Sequence, residues 1–572
     1  MNRSEFEVFG KNPDAVFSLK IHRGEGMSLL AMNWKNGTPP VDFAGFAIEY
    51  REPGGDRFFA LKNRLSFEGT NVAATKLSTR LSPIQMFRWV HFPRNADMPG
   101  SFTYRVTPVF MNELDELSYG EFQQAEIVLK RETYPDQLNV TFTRGFVSSQ
   151  AFVDRYESIA PIATLLPSTA NKGLDFVPSH PKTAEALTWM GFEARLDILD
   201  ILDRAIADPT AQVRVVAYDL NEPEMFSRLE KLQSRLRIII DNDGAHGKAG
   251  SAENEAERGL VLSAGRDQVK RQHMGKLQHN KMIVVSGDTV KVAVAGSTNF
   301  SWRGFYVQAN NALIISGENA VKPFVSAFEQ YWISSSASAF GSTISAEWAS
   351  LGLDGIDAQV TFSPHSPTNA VLANIAGDLS QNVTSSLFFS LAFLYQTPGP
   401  VLAAIQKVTA DDKLFVYGIS DKKVGGMDLL KPNGNLAPVF PSALSKNVPE
   451  PFKSEPVGGS GTRMHHKFLV IDFDKPSARV YLGSFNFSGT ADTKNGENLL
   501  LIRDRKIAVS YLIEALRIFD HYHFRVNQNA AKKARKTLSL QKPPPAGQEA
   551  WWQEDYTDPR KIKDRLLFSK VS

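Results

Sequence analysis

The chain contains no cysteine in 572 residues. Disulfides and thiol chemistry are therefore excluded, while the compartment stays open. Residues 1–10 carry no apolar core of the kind a secretory signal needs. No apolar run approaches the roughly 18 residues of a membrane span. Nor is there a surplus of one charge: 64 Lys and Arg face 61 Asp and Glu, for a formal net charge of +3. That balance argues neither for nor against nucleic acid as a partner. The apolar and charged fractions, 42% and 22%, are ordinary for a soluble globular protein. The expectation is a soluble cytoplasmic protein, with leaderless export left open. The length is too great for one core, and two to four domains are expected.

What the chain does have is one uncommon pattern, twice. The first copy reads Gln278-His279-Asn280-Lys281, an apolar run, then Gly296-Ser297-Thr298-Asn299. The second reads Met464-His465-His466-Lys467, then Phe468 to Asp472, then Gly483-Ser484-Phe485-Asn486. Residues i and i+2 of a strand share a face, so a strand bearing His-x-Lys aims an imidazole and an ammonium at one spot. Imidazole serves as nucleophile or general acid near neutral pH, and ammonium suits a phosphate oxygen. Ser297, Asn299, Ser484 and Asn486, on neighbouring strands, are expected to donate to the remaining oxygens. Two copies facing each other place His279 and His465 on opposite sides of one phosphorus, with Lys281 and Lys467 stabilising its charge. The arrangement requires no metal and no cofactor.

These residues resemble the signature of the phospholipase D superfamily: His-x-Lys, four residues, Asp, then Gly-Ser-x-Asn. The resemblance covers about residues 180–525. It implies an α/β fold of two similar halves related by an approximate dyad, with the site in the cleft between them. It also implies a two-step displacement through a phosphohistidine. The second motif matches in full, with Asp472 in the supporting acidic position and Asn495-Gly496-Glu497 following. The first motif departs: Ser286 stands at the Asp position, and Gln308-Ala309-Asn310-Asn311 replaces the later acidic position. Members similar to tyrosyl-DNA phosphodiesterase also lack the Asp and pair an amide in one half with a Glu in the other. By that resemblance, Glu497 orients His279 as nucleophile, and Gln308 or Asn310 holds His465 as general acid. The reverse assignment stays open.

The pattern of apolar residues divides the chain into four parts. Residues 1–132 read as short alternating strands, among them Leu30, Met32, Trp34 and Phe102, Tyr104, Val106. They resemble a fibronectin type III or immunoglobulin-like sandwich, with a docking, stabilising or spacer role. Residues 133–345 and 346–527 form the two halves, each alternating strands and helices. A Gly/Ala/Glu-rich loop is expected over residues 243–257, a strand over 387–394, and closing helices over 320–332 and 507–519. A proline- and glycine-rich loop over 420–463 is expected to wall the cleft. The tail, 528–572, carries Lys532, Lys533, Arg535 and Lys536. That cluster is read as a solvated helix face or an attractor of phosphate-rich surfaces. Trp551, Trp552 and Tyr556 are expected to anchor the tail on the body.

Three functions compete. The first is hydrolysis or transfer of a phospholipid headgroup, with peripheral membrane contact. The second is a nuclease or DNA-end phosphodiesterase, against which the lack of a basic surplus counts. The third is an inactive scaffold or binding protein on a decayed site.

Overall fold

A computed structural model describes residues 6–69, 77–129 except 94 and 97, 132–145, 152, 155–421, 427–439 except 433, and 464–570 except 546. Two compact units emerge. One comprises Met1–Arg131, Lys431–Asn435 and Val509–Ser572, the other Glu132–Leu430 and Leu436–Ala508. This division differs from the expected one. Residues from 509 onward group with the first unit, although they were assigned to the second half and to a separate tail.

Among its described residues the first unit contains a two-stranded sheet, Lys62–Asn63 with Leu77–Ser78, and two larger antiparallel sheets. One orders Glu7–Phe9, Phe17–Arg23, Ser28–Trp34 and Arg88–His91. The other centres on Ser101–Met111, which pairs with Phe43–Arg51, Leu117–Tyr119 and Gln123–Val128. Alternate residues of both sheets, such as Phe17, Leu19 and Ile21 with Phe46, Ile48 and Val106, share one buried core. The tail joins that core, as the aromatic residues predict. Trp551 stacks on Phe87 at 5.5 Å, and Trp552 is buried. The helix Pro559–Ser569 follows, starting at an Asp558 cap. Lys533, Arg535 and Lys536 are exposed.

The second unit holds the paired motifs. Its first sheet runs Leu138–Phe142, Asn311–Ser316, Lys291–Gly296, Met282–Ser286, Gln212–Ala217, Leu236–Ile240, Val269–Arg271. Its second runs Ala349–Ser350, Asp357–Ser363, Glu497–Arg503, Arg479–Gly483, Lys467–Ile471, Ser386–Leu391, Phe415–Asp421, Met427–Leu430, Leu436–Val439. The shared order is plain. In both halves the strand after His-x-Lys lies between the strand ending in Gly-Ser and one that has a parallel neighbour. Helices recur at matching places. Thr183–Ala207 and Leu372–Asn382 precede the parallel pair, and Pro223–Leu232 and Pro400–Thr409 cross over within it. The apolar faces of these strands and helices make one core per half.

Three expectations need correction. The loop over 243–257 gives way at residue 251 to a helix, Ala252–Ala264. Ser251 caps it by accepting from Asn254 N, and Ala256, Leu260 and Ala264 are buried at helical spacing. The strand near 387–394 is Ser386–Leu391, because Phe393 turns to φ 65°. The helix expected over 507–519 runs Arg505–Lys533. Of the proline-rich loop, residues 422–426, 433 and 440–463 lie outside the described residues. Its described part is a hairpin, Met427–Leu430 with Leu436–Val439, that extends the second sheet. No helix among the described residues is long and apolar enough to cross a membrane.

Candidate active site

Each motif is built at the end of a strand. His279 and Lys281 precede Met282–Ser286, and Lys467 opens Lys467–Ile471. His279 and His465 therefore sit just ahead of the strands rather than within them. Each lysine turns back to the carbonyl of its own histidine: Lys467 Nζ donates to His465 O at 2.8 Å, and Lys281 Nζ to His279 O. The glycines of Gly-Ser-x-Asn explain themselves. Gly296 and Gly483 have φ of 130° and 146°. A Cβ there would lie 2.5 Å from Asn311 O and 2.3 Å from Asn498 O.

The halves meet through reciprocal backbone bridges, Gln278 with Gly496 and Ala309 with Met464. Each bridge sets the residue before a histidine beside the residue before Glu497 or Asn310 in the other half. The side chains follow. His279 Nδ1 lies 2.7 Å from Glu497 Oε2, and His465 Nδ1 lies 2.8 Å from Asn310 Oδ1. The two imidazole centroids are 6.4 Å apart. Of the two amides considered from sequence, Asn310 makes the contact. Gln308 is buried nearby in the chain, with its carbonyl accepting from Thr143 Oγ1 at 2.6 Å.

The serines do something other than expected. Ser484 Oγ donates to Glu497 Oε2 at 2.7 Å, and Ser297 Oγ to Asn310 Oδ1 at 2.9 Å. A hydroxyl has one proton to give, so each serine backs the group that orients a histidine and has none left for a phosphate oxygen. Asn495 Nδ2 adds a third donor to Glu497 at 3.2 Å. Asn299 and Asn486 each keep a buried side-chain oxygen without a partner among the described residues.

Asp472 lies at the far end of its strand from Lys467. It adopts φ 51° and accepts from Thr384 N and Oγ1, Ser385 N and Ser386 N at 2.7 to 3.1 Å. It ties the turn of one hairpin to the start of the neighbouring strand and binds no substrate oxygen. The first half makes the same tie with the carboxylate on the other side. Asp208, ahead of Gln212–Ala217, accepts from Thr289 N and Oγ1 at 2.9 and 2.7 Å in the hairpin turn. These bonds, Thr210 Oγ1 first, hold Asp208 well below the usual carboxylate range. Ser286 thus has no acid to supply. Asp472→Ala should cost about 3 kcal/mol in urea unfolding, because several buried donors lose their acceptor. Ser286→Asp should add nothing; a stabilised variant would refute the tie.

Burial dominates the electrostatics. It pulls His279 below its ordinary value despite Glu497, and His465 well below, with Lys467 and Lys281 adding to the effect. It brings Lys281 down to about 8, against the lift of Glu497, Asp219 and Asp241. Lys467 lies well below its ordinary value, from burial and then from Lys281. Burial alone would raise Glu497, but the His279 charge and hydrogen bond bring it down. A cluster of bases crowded around one carboxylate is a site that an anion relieves.

Sequence reasoning passed over Tyr218, Asp219, Asp241 and His246. Tyr218 packs edge-on to His279 at 4.7 Å, and Asp241 Oδ1 accepts from Gln278 N at 2.7 Å. The available signal was position: Tyr218 and Asp219 follow Gln212–Ala217, and Asp241 follows Leu236–Ile240. The carboxyl ends of parallel strands are where α/β sheets bind ligands.

Residues 202–332 and 392–518 match the family model described as cardiolipin synthase, phospholipase D-like domain. Both halves therefore match a phospholipase D-like domain. The chain is 52% identical over 48 residues to a phospholipase D of Rickettsia prowazekii, covering 8% of this chain and 22% of that relative. It is 27% identical over 137 residues to a mitochondrial cardiolipin hydrolase of Canis lupus familiaris, covering 23% of this chain and 50% of the relative. The chain thus spans half or less of the length of these curated relatives. A solved phosphatidylserine synthase of Haemophilus influenzae aligns over 67% of this chain and 94% of its own, with 14% identity and a TM-score of 0.41.

Proposed function

We propose that the protein is a phosphodiesterase that hydrolyses or transfers a phospholipid headgroup in two covalent steps. The observation that carries this reading is the pair of facing histidines, one backed by the carboxylate of Glu497 and the other by the amide of Asn310. His279, its Nδ1–H held by Glu497, attacks phosphorus through Nε2. The bond to the leaving oxygen breaks, and His465 gives that oxygen its proton. In the second step His465 takes a proton from water, or from an acceptor alcohol, whose oxygen attacks phosphorus as the phosphorus–nitrogen bond breaks. Lys281, Lys467, Asn299 and Asn486 stabilise the non-bridging oxygens. Burial and the two lysines hold His465 well below its ordinary pKa; the phosphodiester's negative charge, arriving between the lysines, raises it again, and His465 takes its proton from solvent as the substrate binds.

The lipid substrate is favoured by the matched family model, described as cardiolipin synthase, and by the curated relatives, a phospholipase D and a cardiolipin hydrolase. A second reading, cleavage of a nucleic-acid phosphodiester, is favoured by the pairing of an amide with a glutamate. We read the two halves as related by an approximate dyad. The sheets of the first unit are read as a sandwich of the fibronectin III or immunoglobulin kind that docks or stabilises.

Turnover of cardiolipin, phosphatidylglycerol and phosphatidylcholine vesicles and of labelled DNA, in EDTA, tests the proposal. Lipid headgroup release that vanishes in His279→Ala and His465→Ala supports it. DNA cleavage with the same dependence, falling steeply with salt, favours the second reading. No turnover on either, or turnover abolished by EDTA, refutes the metal-independent phosphodiesterase. The pH profile adds a sign. Lys281 carries its charge only below its pKa of about 8, so kcat/KM should fall as pH rises through about 8. A profile flat to well above that value would contradict the role given to Lys281.

A further inference from the structure

Three carboxylates and one imidazole lie beside the nucleophilic half and take no part in the steps above. His246 is clamped at both nitrogens: Nδ1 lies 2.8 Å from Asp241 Oδ2, and Nε2 lies 3.0 Å from Asp219 Oδ1. Glu253, on the helix Ala252–Ala264, closes the group, with a carboxylate oxygen within 4.8 Å of an Asp219 carboxylate oxygen and a His246 ring nitrogen. Glu253 also accepts from Leu220 N at 3.3 Å. The strand Val269–Arg271 contributes Arg271, which donates to the carbonyls of His246 and Asp241 at 2.6 and 3.1 Å.

The group reaches the reaction centre through one ring. The Tyr218 ring meets His246 edge-on at 4.6 Å and His279 edge-on at 4.7 Å, and Lys281 Nζ stands 4.7 Å from its centroid. Asp241 also fixes the backbone one residue before His279. Among the described residues the second half lacks this construction. Val216 pairs with Met282, which follows Lys281, and Ser390 pairs with Phe468, which follows Lys467. That register sets Ala392 and Phe393 opposite in role to Tyr218 and Asp219. Asp421 occupies the place of Asp241, and no histidine follows it before His465.

We infer that Asp219 and His246 are positioning residues of the first half: they hold Tyr218 against His279 and keep Lys281 the cation that meets the phosphodiester first, which gives the two lysines different duties. The inference rests on the reading of His279 as nucleophile. The electrostatics run the same way. Burial pulls His246 down, but Asp219 and Asp241 outweigh it and bring it up to about 10, so the ring is an imidazolium at neutral pH. Asp219 and Asp241 both lift Lys281, as does Glu497. Lys467 has the help of Glu497 and Asp421 and the opposition of Lys281. Asp219 itself is faced by His246, Lys281 and Arg303.

The test is kcat/KM from about pH 6 to about pH 9.5 for the wild type, Asp219→Asn and His246→Gln, with His279→Ala as control. Removing one carboxylate beside a lysine lowers its pKa by about one unit. In Asp219→Asn the alkaline limb should therefore move down by about one unit, and kcat/KM at about pH 8.5 should fall about tenfold. At about pH 6.5 the loss should stay within about threefold. His246→Gln, which keeps a hydrogen-bonding side chain between the two carboxylates, should slow turnover through Tyr218 while melting within a few degrees of the wild type. An alkaline limb unmoved in Asp219→Asn, or a loss equal at every pH, overturns the inference. So does zinc or manganese bound stoichiometrically by the wild type and lost in His246→Gln. Turnover persisting in His279→Ala removes the nucleophile assignment and this inference with it. An inactive His279→Ala beside an unmoved limb removes the inference alone.

Discussion

His279→Ala should be inactive on every phosphodiester, activated or not, with turnover reduced by about 10⁴-fold or more. His465→Ala should behave differently. Its loss should reach about 10³-fold for an alkyl leaving group, which needs a proton, but only about tenfold in the first step for a p-nitrophenyl ester, which does not. The reason is geometric. His279 Nδ1 is pinned by Glu497 and His465 Nδ1 by Asn310, so each ring offers only its other nitrogen to the gap, from opposite sides. The two residues are interchangeable in shape and separable only by the step each serves. His465→Ala should also accumulate phosphoenzyme, because water then lacks its base, and mass spectrometry of acid-free digests would find the phosphoryl group on His279. Equal losses on both ester types in both variants would refute the division of labour.

The second large effect concerns Glu497. It is fully buried, accepts from Ser484 and Asn495, and faces His279. Glu497→Gln keeps the shape and removes the charge that supports the cationic ring of the Nε2-phosphohistidine, which departs as neutral imidazole in the second step. Turnover should fall by about 10² to 10³-fold, less than with loss of the histidine. Asn310 occupies the reciprocal place behind His465, backed in the same way by Ser297. The double variant Glu497→Gln, Asn310→Asp therefore moves the carboxylate to the other histidine. Its trapped phosphoryl group should be found on His465. A phosphoryl group still on His279 would mean that the carboxylate does not choose the nucleophile.

Much of this site was legible in the chain, for a physical reason. His279, Lys281, His465 and Lys467 are read from the repeated His-x-Lys spacing; the strand geometry expected to aim them starts only at Met282 and Lys467, so the histidines are aimed by the segments just ahead. Glu497 came from the family resemblance, which left Gln308 and Asn310 as alternatives; only the contact of Asn310 Oδ1 with His465 Nδ1 separates the two amides. The serines were misjudged because residue type does not say where a hydroxyl's single proton goes; Asn311 N and Asn498 N already occupy the serines as acceptors. Asp472 was read as a supporting residue without its partners; the strand between it and Lys467 carries it to the opposite end, where it accepts from Thr384 and Ser385. Asp219, Asp241, His246 and Glu253 come from four segments and carry no pattern; only the parallel pairing of Gln212–Ala217 with Leu236–Ile240 gathers them. In the fold, the helix Ala252–Ala264 was hidden by its Gly-rich approach, and residues 509–572 were divided between the second half and a tail because the helix Arg505–Lys533 runs on past its expected end and the tryptophans name no partner in sequence.

The ties of Asp208 to Thr289 and of Asp472 to Thr384 bear on how a chain of two like halves is scored. What the two halves preserve is a bond between a turn and a strand start, not a letter at either position. Counting motif letters would mark the first half as decayed at Ser286, while Asp208, outside the motif, still holds its hairpin turn to the neighbouring strand.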